Sequence, residues 1–302
     1  MSSRKKSAAR KKRVNPRSSR ASVGRFKRFA RAFVLSLVAS FGAASCMLQP
    51  QLREQVDLEP ILSQLGLSGQ AETASLAIES GARVQTRFPE CRHFFPNGHP
   101  PIVPAGPALR ELCFSSFAVL HSGQTKTPVF VAQRLNRQML IKAQKVRRTE
   151  RFYAEARLPA AERAELDDYR GSGYSRGHMA AAADMDTPEA MAQSFSLANM
   201  VPQNQIQNGG AWSKIEKDTR KYIMRAKGDV YVFTGAAYGD QPETIGAGRV
   251  AVPQHLYKAV YDATTGRSWV HWQANSPDTK AGSPLSYEDF VQRTGVRLLQ
   301  DF

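Results

Sequence analysis

Charge is segregated along this chain so sharply that its start reads as an address rather than as part of a fold. Residues 1–31 hold thirteen Lys and Arg, and the first acidic side chain is Glu54. From Ala32 to Pro50 the chain is uncharged, and the densest part is Ala32–Ala44 (AFVLSLVASFGAA). That run has the length of a signal-peptide core and falls short of the roughly 20 residues that span a bilayer. Residues 1–50 are therefore expected to be a basic leader, cleaved near Ala44–Cys46 or retained as a signal anchor with its positive charge on the cytoplasmic side. The corresponding localisation is export: periplasmic, extracellular or membrane-anchored, with membrane contact through the N-terminal segment. The whole 302-residue chain carries a formal charge of +16, and removing the leader's thirteen cations leaves only +3 for the rest. A basic balance of that kind does not by itself argue for nucleic acid.

With 42% apolar residues the remainder can bury a core. Three cysteines exclude a disulfide mini-protein, and one apolar stretch excludes a polytopic membrane protein. With Cys46 in the leader, Cys91 and Cys113 are the remaining pair, expected to bridge in an oxidising compartment. Residues 51–87 read as a linker with short amphipathic stretches at Leu58–Leu65 and Ala74–Ile78. Strands are predicted over Cys113–His121, Val129–Leu135, Val230–Thr234, Leu256–Tyr261 and Ser268–Gln273. Helices are predicted from Thr187-Pro188-Glu189, over Ala211–Lys227, and over Ser286–Thr294. Strands and helices that mix without strict alternation favour an α+β fold.

The chemistry is concentrated between residues 170 and 216. His178 follows Gly171-Ser172-Gly173-Tyr174-Ser175-Arg176-Gly177, a segment with backbone freedom for close approach to a ligand. On an extended strand Arg176 and His178 project to the same face. A neutral imidazole and a guanidinium are the base and the cation that phosphodiester hydrolysis requires. Downstream, Asn208, Trp212 and Glu216 are spaced four apart, which on a regular helix places a carboxamide and a carboxylate on one face. One amide oxygen with a water-anchoring carboxylate suits Mg²⁺, which keeps most of its waters.

The run YRGSGYSRGHMAAAADM, followed by SLANMVPQNQIQNGGAW and Glu216, resembles the DNA/RNA non-specific endonucleases. The similarity continues through VFVAQRL, VYVFTGAAY, VPQHLYKAVYD and RTGVRLL, and covers roughly residues 88–302. The resemblance implies a ββα-metal nuclease fold, with a mixed, largely antiparallel sheet and flanking helices. It implies a metal-dependent endonuclease that takes DNA and RNA without sequence preference, with Mg²⁺ or Mn²⁺ as cofactor. By the same resemblance His178 is the general base, Asn208 the metal ligand and Glu216 the residue that orients water on that ion. Arg176 becomes a phosphate contact and Asn199 a site-shaping polar residue on the substrate side. An upstream arginine that stabilises the transition state matches Arg148 or Arg151.

One residue departs from the family pattern: Ser175 stands where the family has Asp. The loss of a carboxylate beside the base is expected to leave the fold intact and to alter rate or pH optimum. Activity is expected to fall below an imidazole pKa near or above the ordinary 6.5. Two other readings remain open at this point. One is a non-catalytic, membrane-tethered nucleic-acid-binding protein. The other is a zinc-type hydrolase using His178 and Asp184, which lacks a third clustered ligand.

Overall fold

The computed structural model describes residues 81–300. The leader over 1–50 and the amphipathic stretches of the linker lie outside the described residues. The fold reaches back past the expected boundary at residue 88, because Arg83–Gln85 already pairs antiparallel with Ile102–Pro104.

Eight longer strands follow in chain order. They are β1 (Leu109–Cys113), β2 (Ala118–Ser122), β3 (Thr127–Leu135), β4 (Tyr174–His178), β5 (Met200–Asn204), β6 (Val230–Ala237), β7 (His255–Asp262) and β8 (Arg267–Ala274). Six form one sheet in the order β8-β7-β6-β3-β2-β1, with every neighbouring pair antiparallel. β4 and β5 form a separate antiparallel hairpin. The single strand expected over Cys113–His121 is two strands. The chain reverses at Phe114–Phe117, where the Phe114 amide donates to the Phe117 carbonyl at 2.9 Å. An apolar run hides such a turn, since both of these phenylalanines are buried and stack on one another at 4.4 Å.

Alternation along the strands gives the sheet two buried faces. Leu120, Phe130, Phe233 and Tyr257 join Phe88, Phe95 and Phe290 on one side. Val119, Val131 and Leu256 join Met179, Phe195, Val201, Trp212 and Ile215 on the other. Each such side chain stabilises the fold by about 1.5–3 kcal/mol through removal from water, so both faces are held firmly. The second face matters for function, because it carries the β4–β5 hairpin and the helix that follows it.

Helix α1 (Arg137–Ala143) starts at Asn136, whose side chain accepts from the Met139 amide. Helix α2 (Pro188–Gln193) starts as expected, with Thr187 accepting from Ala190 and proline in the first turn. Helix α3 (Ser213–Ile223) is shorter at its end than the expected Ala211–Lys227 and is extended backward through irregular turns described below. Helix α4 (Tyr287–Thr294) is capped by Ser286 and ends at Gly295 with φ 68, the left-handed stop that glycine allows. No helix among the described residues is long and apolar enough to cross a membrane.

Cys91 and Cys113 form a disulfide across 22 residues. It ties the segment before the sheet to the end of β1. On the chain-entropy account the closed loop contributes about 3 kcal/mol. Alkylation of the folded chain without reductant should leave both thiols unmodified, and mass spectrometry showing two added groups would contradict the bridge.

Candidate active site

His178 ends β4 and sits opposite Met200 of β5. Its ring meets Phe195 edge-on at 4.9 Å and Phe152 at 5.9 Å. Burial first, and then the nearby Arg148 guanidinium, push the imidazole down to about 3 from its ordinary 6.5. The ring is neutral at any physiological pH, and Nε2 is buried with no partner among the described residues. A value of about 3 lies well below the 6.5 from which a fall in activity is expected on sequence grounds. The two causes are an aromatic cradle and a like-charged neighbour, neither of which is local in sequence.

Arg176 lies two residues earlier, and its guanidinium stands over the same Phe152 ring at 4.9 Å and over Tyr169 at 5.8 Å. The shared ring places Arg176 and His178 on one face, as strand alternation predicts. Arg176 Nε is likewise buried without a partner among the described residues. Arg148 stands 5.1 Å over Phe195, the ring on which His178 packs, and makes a loose, exposed contact with Glu150 at 3.8 Å. Arg151 is exposed, and its backbone amide donates to Thr149. The structure therefore brings Arg148, rather than Arg151, to the imidazole.

Asn199 is fully buried. Its Oδ1 accepts from the Ala180 amide at 2.8 Å, and Nδ2 donates to the Ala180 carbonyl at 3.0 Å and the Ser194 carbonyl at 2.8 Å. All of these partners are backbone, so in the free protein Asn199 fixes the chain just past His178 and shapes the site rather than facing into it.

Ser175 and Gly177 occupy the opposite face of β4. A Cβ at Gly177 would overlap Gln203 Oε1 and Cβ, so glycine is required there for the buried Gln203 to lie against the strand. Gln203 Nε2 donates to Gln207 Oε1 at 2.6 Å, tying β5 to the turn that carries Asn208. By alternation Ser175 turns away from the imidazole. A carboxylate at this position, as in the family pattern, would start from the strand face opposite the imidazole.

Asn204 caps the next segment, accepting from the Ile206 and Gln207 amides. Gln205–Gln207 forms one α-turn, Asn208–Trp212 a π-turn, and α3 continues without interruption. The regular four-residue spacing from 208 to 216 is thus not one straight stripe, because the π-turn inserts a residue into the helical phase. Gly209 and Gly210 have open space where a Cβ would be, so this turn is not crowded. Trp212, at the end of the π-turn, is buried in the core on the second face of the sheet. Asn208 is half-buried, and its carboxamide has no hydrogen-bond partner among the described residues.

Glu216 lies one turn into α3. Burial raises its pKa, and the largest opposing influence is Lys258. Lys258 is fully buried on β7, donates to Thr234 Oγ1 at 2.6 Å and stands 5.3 Å over the Trp212 ring. Asp184 and Arg220 complete this group, paired at 3.0 Å. Sequence reading missed Lys258, Arg220, Phe152, Phe195, Gln203 and Gln207. Only a lysine centred in an apolar strand, as in His255–Asp262, gave a signal.

A divalent cation fits this donor set. Asn208 supplies a neutral, unengaged oxygen two turns before the Glu216 carboxylate in the chain, the hard oxygen chemistry that a divalent cation takes. Among the described residues no three His, Cys, Asp or Glu side chains gather as a metal-holding group. With Asp184 committed to Arg220, the zinc-type arrangement of His178 and Asp184 is not supported.

The model of the DNA/RNA non-specific endonuclease family matches residues 102–291. This chain belongs to that family. It is 35% identical to a mitochondrial nuclease EXOG of Xenopus laevis over 49% of this chain and 44% of that protein. It is 33% identical to human mitochondrial endonuclease G over 51% of this chain and 55% of that protein. The chain thus spans about half the length of these relatives. A crystal structure of an EndoG/EndoGI complex matches with TM-score 0.57 and 28% identity, covering 62% of this chain and 84% of that one. The β4–β5 hairpin followed by α3 is the ββα unit of the ββα-metal nuclease fold.

The comparisons also overturn the exported localisation. The EXOG and endonuclease G relatives, and Nuclease 1 of Schizosaccharomyces pombe, are mitochondrial by name rather than exported. The error has a physical basis: mitochondrial transit segments are also rich in Arg and Ser and poor in acidic residues. The charge pattern of residues 1–50 fits both addresses.

Proposed function

We propose that residues 83–300 form a divalent-metal-dependent endonuclease domain that hydrolyses phosphodiester bonds in DNA and RNA without sequence preference. The observation that carries this reading is the neutral imidazole of His178, held on one face with Arg176 and flanked by Arg148, with unpartnered buried nitrogens on both His178 and Arg176. Buried polar atoms left unpaired are costly and uncommon, and a site that keeps two of them is built for a ligand or ordered water.

In this reading His178 takes a proton from water as its oxygen attacks phosphorus in line. Arg176 and Arg148 offset the charge that gathers on the phosphate oxygens. Glu216 accepts a hydrogen bond from water in the site and fixes its orientation. The P–O bond to the leaving oxygen breaks, that oxygen takes a proton from solvent, and the imidazolium returns its own to solvent. A cation held by Asn208 Oδ1 supplies further charge neutralisation at the phosphate. Contacts confined to phosphate explain tolerance of sequence.

Digestion of supercoiled plasmid and of RNA by the purified chain, with and without EDTA, tests the proposal. Both substrates should be cut, and the chelator should stop it. Intact plasmid at every metal concentration would favour the non-catalytic binding reading instead. Asn208→Ala should raise the Mg²⁺ concentration for half-maximal rate by about tenfold or more, and an unaltered metal dependence would remove Asn208 from its role.

A further inference from the structure

A groove of about 650 Å³ opens beside the site, lined by Arg148 at one end and by Arg220, Lys217, Lys221 and Arg225 along α3 and its C-terminal turn. Its floor is apolar, built from Leu140 and Val146 at and after α1, Ala182 and Ala183, and Met191 and Met224. No acidic residue lines it. Lys217 and Lys221 lie one turn apart on the same ridge of α3, and Arg225 follows in the turn after Ile223. The two helical positions are about 6 Å apart at 1.5 Å per residue. Lys217 and Arg225 have no ion pair among the described residues. Lys221 pairs with Asp218 at 3.2 Å on an exposed surface, an interaction worth too little to hold it from a phosphate.

We propose that this groove seats an unpaired strand of the substrate as it leaves the scissile phosphate. The inference rests on the nuclease reading above and names the form of substrate that this site takes. Successive phosphates lie along Lys217, Lys221 and Arg225, and sugars and bases lie against the apolar floor. Two features select a strand over a duplex. A duplex turns phosphates outward and has no apolar surface to offer the floor, whereas an unpaired strand presents both charge and base faces. Arg148 belongs to both the groove and the surroundings of His178, so the track is continuous with the chemistry.

The test is a triple variant, Lys217→Gln/Lys221→Gln/Arg225→Gln, in which all three side chains are exposed in the folded protein. Its kcat/KM is compared with that of the unaltered chain on three substrates. These are a single-stranded oligodeoxynucleotide longer than the groove, the same sequence as duplex, and the p-nitrophenyl ester of a thymidine phosphate, which is too short to reach the ridge. The expected result is a loss of about tenfold or more on the single strand, with a salt dependence shallower by roughly two units of slope for three lost contacts. The short ester should lose less than about twofold. An equal loss on strand and duplex overturns the single-strand assignment, and no loss on either removes the groove from the substrate path. Failure of the unaltered chain to cut any of the three, with metal present, would instead sink the nuclease reading itself.

Discussion

Replacing His178 with Ala should lower kcat/KM on DNA by about a hundredfold to ten-thousandfold, the range for loss of a general base, while binding of the same DNA persists. The environment of this residue makes a second, independent readout available. Burial and Arg148 hold the imidazole at about 3 in the free protein, so kcat/KM should stay level from pH 8 down to 5 as far as this group is concerned. A bound phosphodiester brings a negative charge next to Arg148 and the ring. Both effects favour the imidazolium, so the pKa governing kcat should lie above that governing kcat/KM. A kcat/KM that falls tenfold per unit directly below 6.5 would contradict the buried, neutral base. Stability gives the third readout. Between pH 6.5 and about 3 the unfolded chain binds a proton at His178 that the folded chain refuses, so folding weakens as pH falls through that window. At two units below 6.5 the cost is about 2–3 kcal/mol. His178→Gln should therefore flatten the acid limb of Tm against pH, whatever its activity.

How much of this could be read from the chain depends on how local each determinant is. Arg176 and His178 share a face because strand alternation needs only two residues of context. The caps at Thr187 and Ser286 and the stop at Gly295 were legible for the same reason, since a cap binds backbone three residues away. Asn204 was not recognised as the cap before Asn208, because the π-turn shifts the helix start and the sequence shows only glycines where it occurs. Helix α1 was invisible, since of its seven residues only Leu140 and Ala143 are buried and no apolar stripe results. The choice between Arg148 and Arg151 turned on Phe195, forty-four or more residues later in the chain. The lowered base pKa likewise comes from two segments distant in the chain, one carrying Arg148 and Phe152 and the other Phe195. Address proved the least legible, because transit and export leaders are built from the same charge and apolar content.

Lys258→Met should carry the second large effect, and it concerns a residue whose importance only the packing reveals. Burial depresses the Lys258 pKa, and Glu216 and Asp184 act to raise it, against Arg220. On the facing strands Lys258 sits between Thr234 of β6 and His271 of β8. Burial and Lys258 also depress the His271 pKa, which leaves Lys258 and Arg220 as the cations of that interior, Arg220 already paired with Asp184. Methionine matches the lysine stem in size, so lost volume is a small part of the outcome, although the cation over the Trp212 ring goes with the charge. What disappears is the charge with the largest favourable influence on Glu216, since Asp184 keeps Arg220, and leaving a buried charge without its counter-ion costs up to about 3–5 kcal/mol. The sign with pH follows from Glu216, whose folded pKa is already raised by burial. Without Lys258 it rises further, so the deficit is largest above that pKa, where the carboxylate must be charged, and shrinks in acid, where it is protonated. Adding Glu216→Gln should restore most of the stability, because a neutral amide needs no buried cation, and should restore none of the activity, because on the proposed mechanism a carboxylate there orients water. Urea denaturation at pH 8 and pH 5 of the single and double variants measures the coupling. A Lys258→Met protein as stable at pH 8 as the unaltered chain, and as active on plasmid, would show that Glu216 keeps its charge without this lysine and that the two act independently.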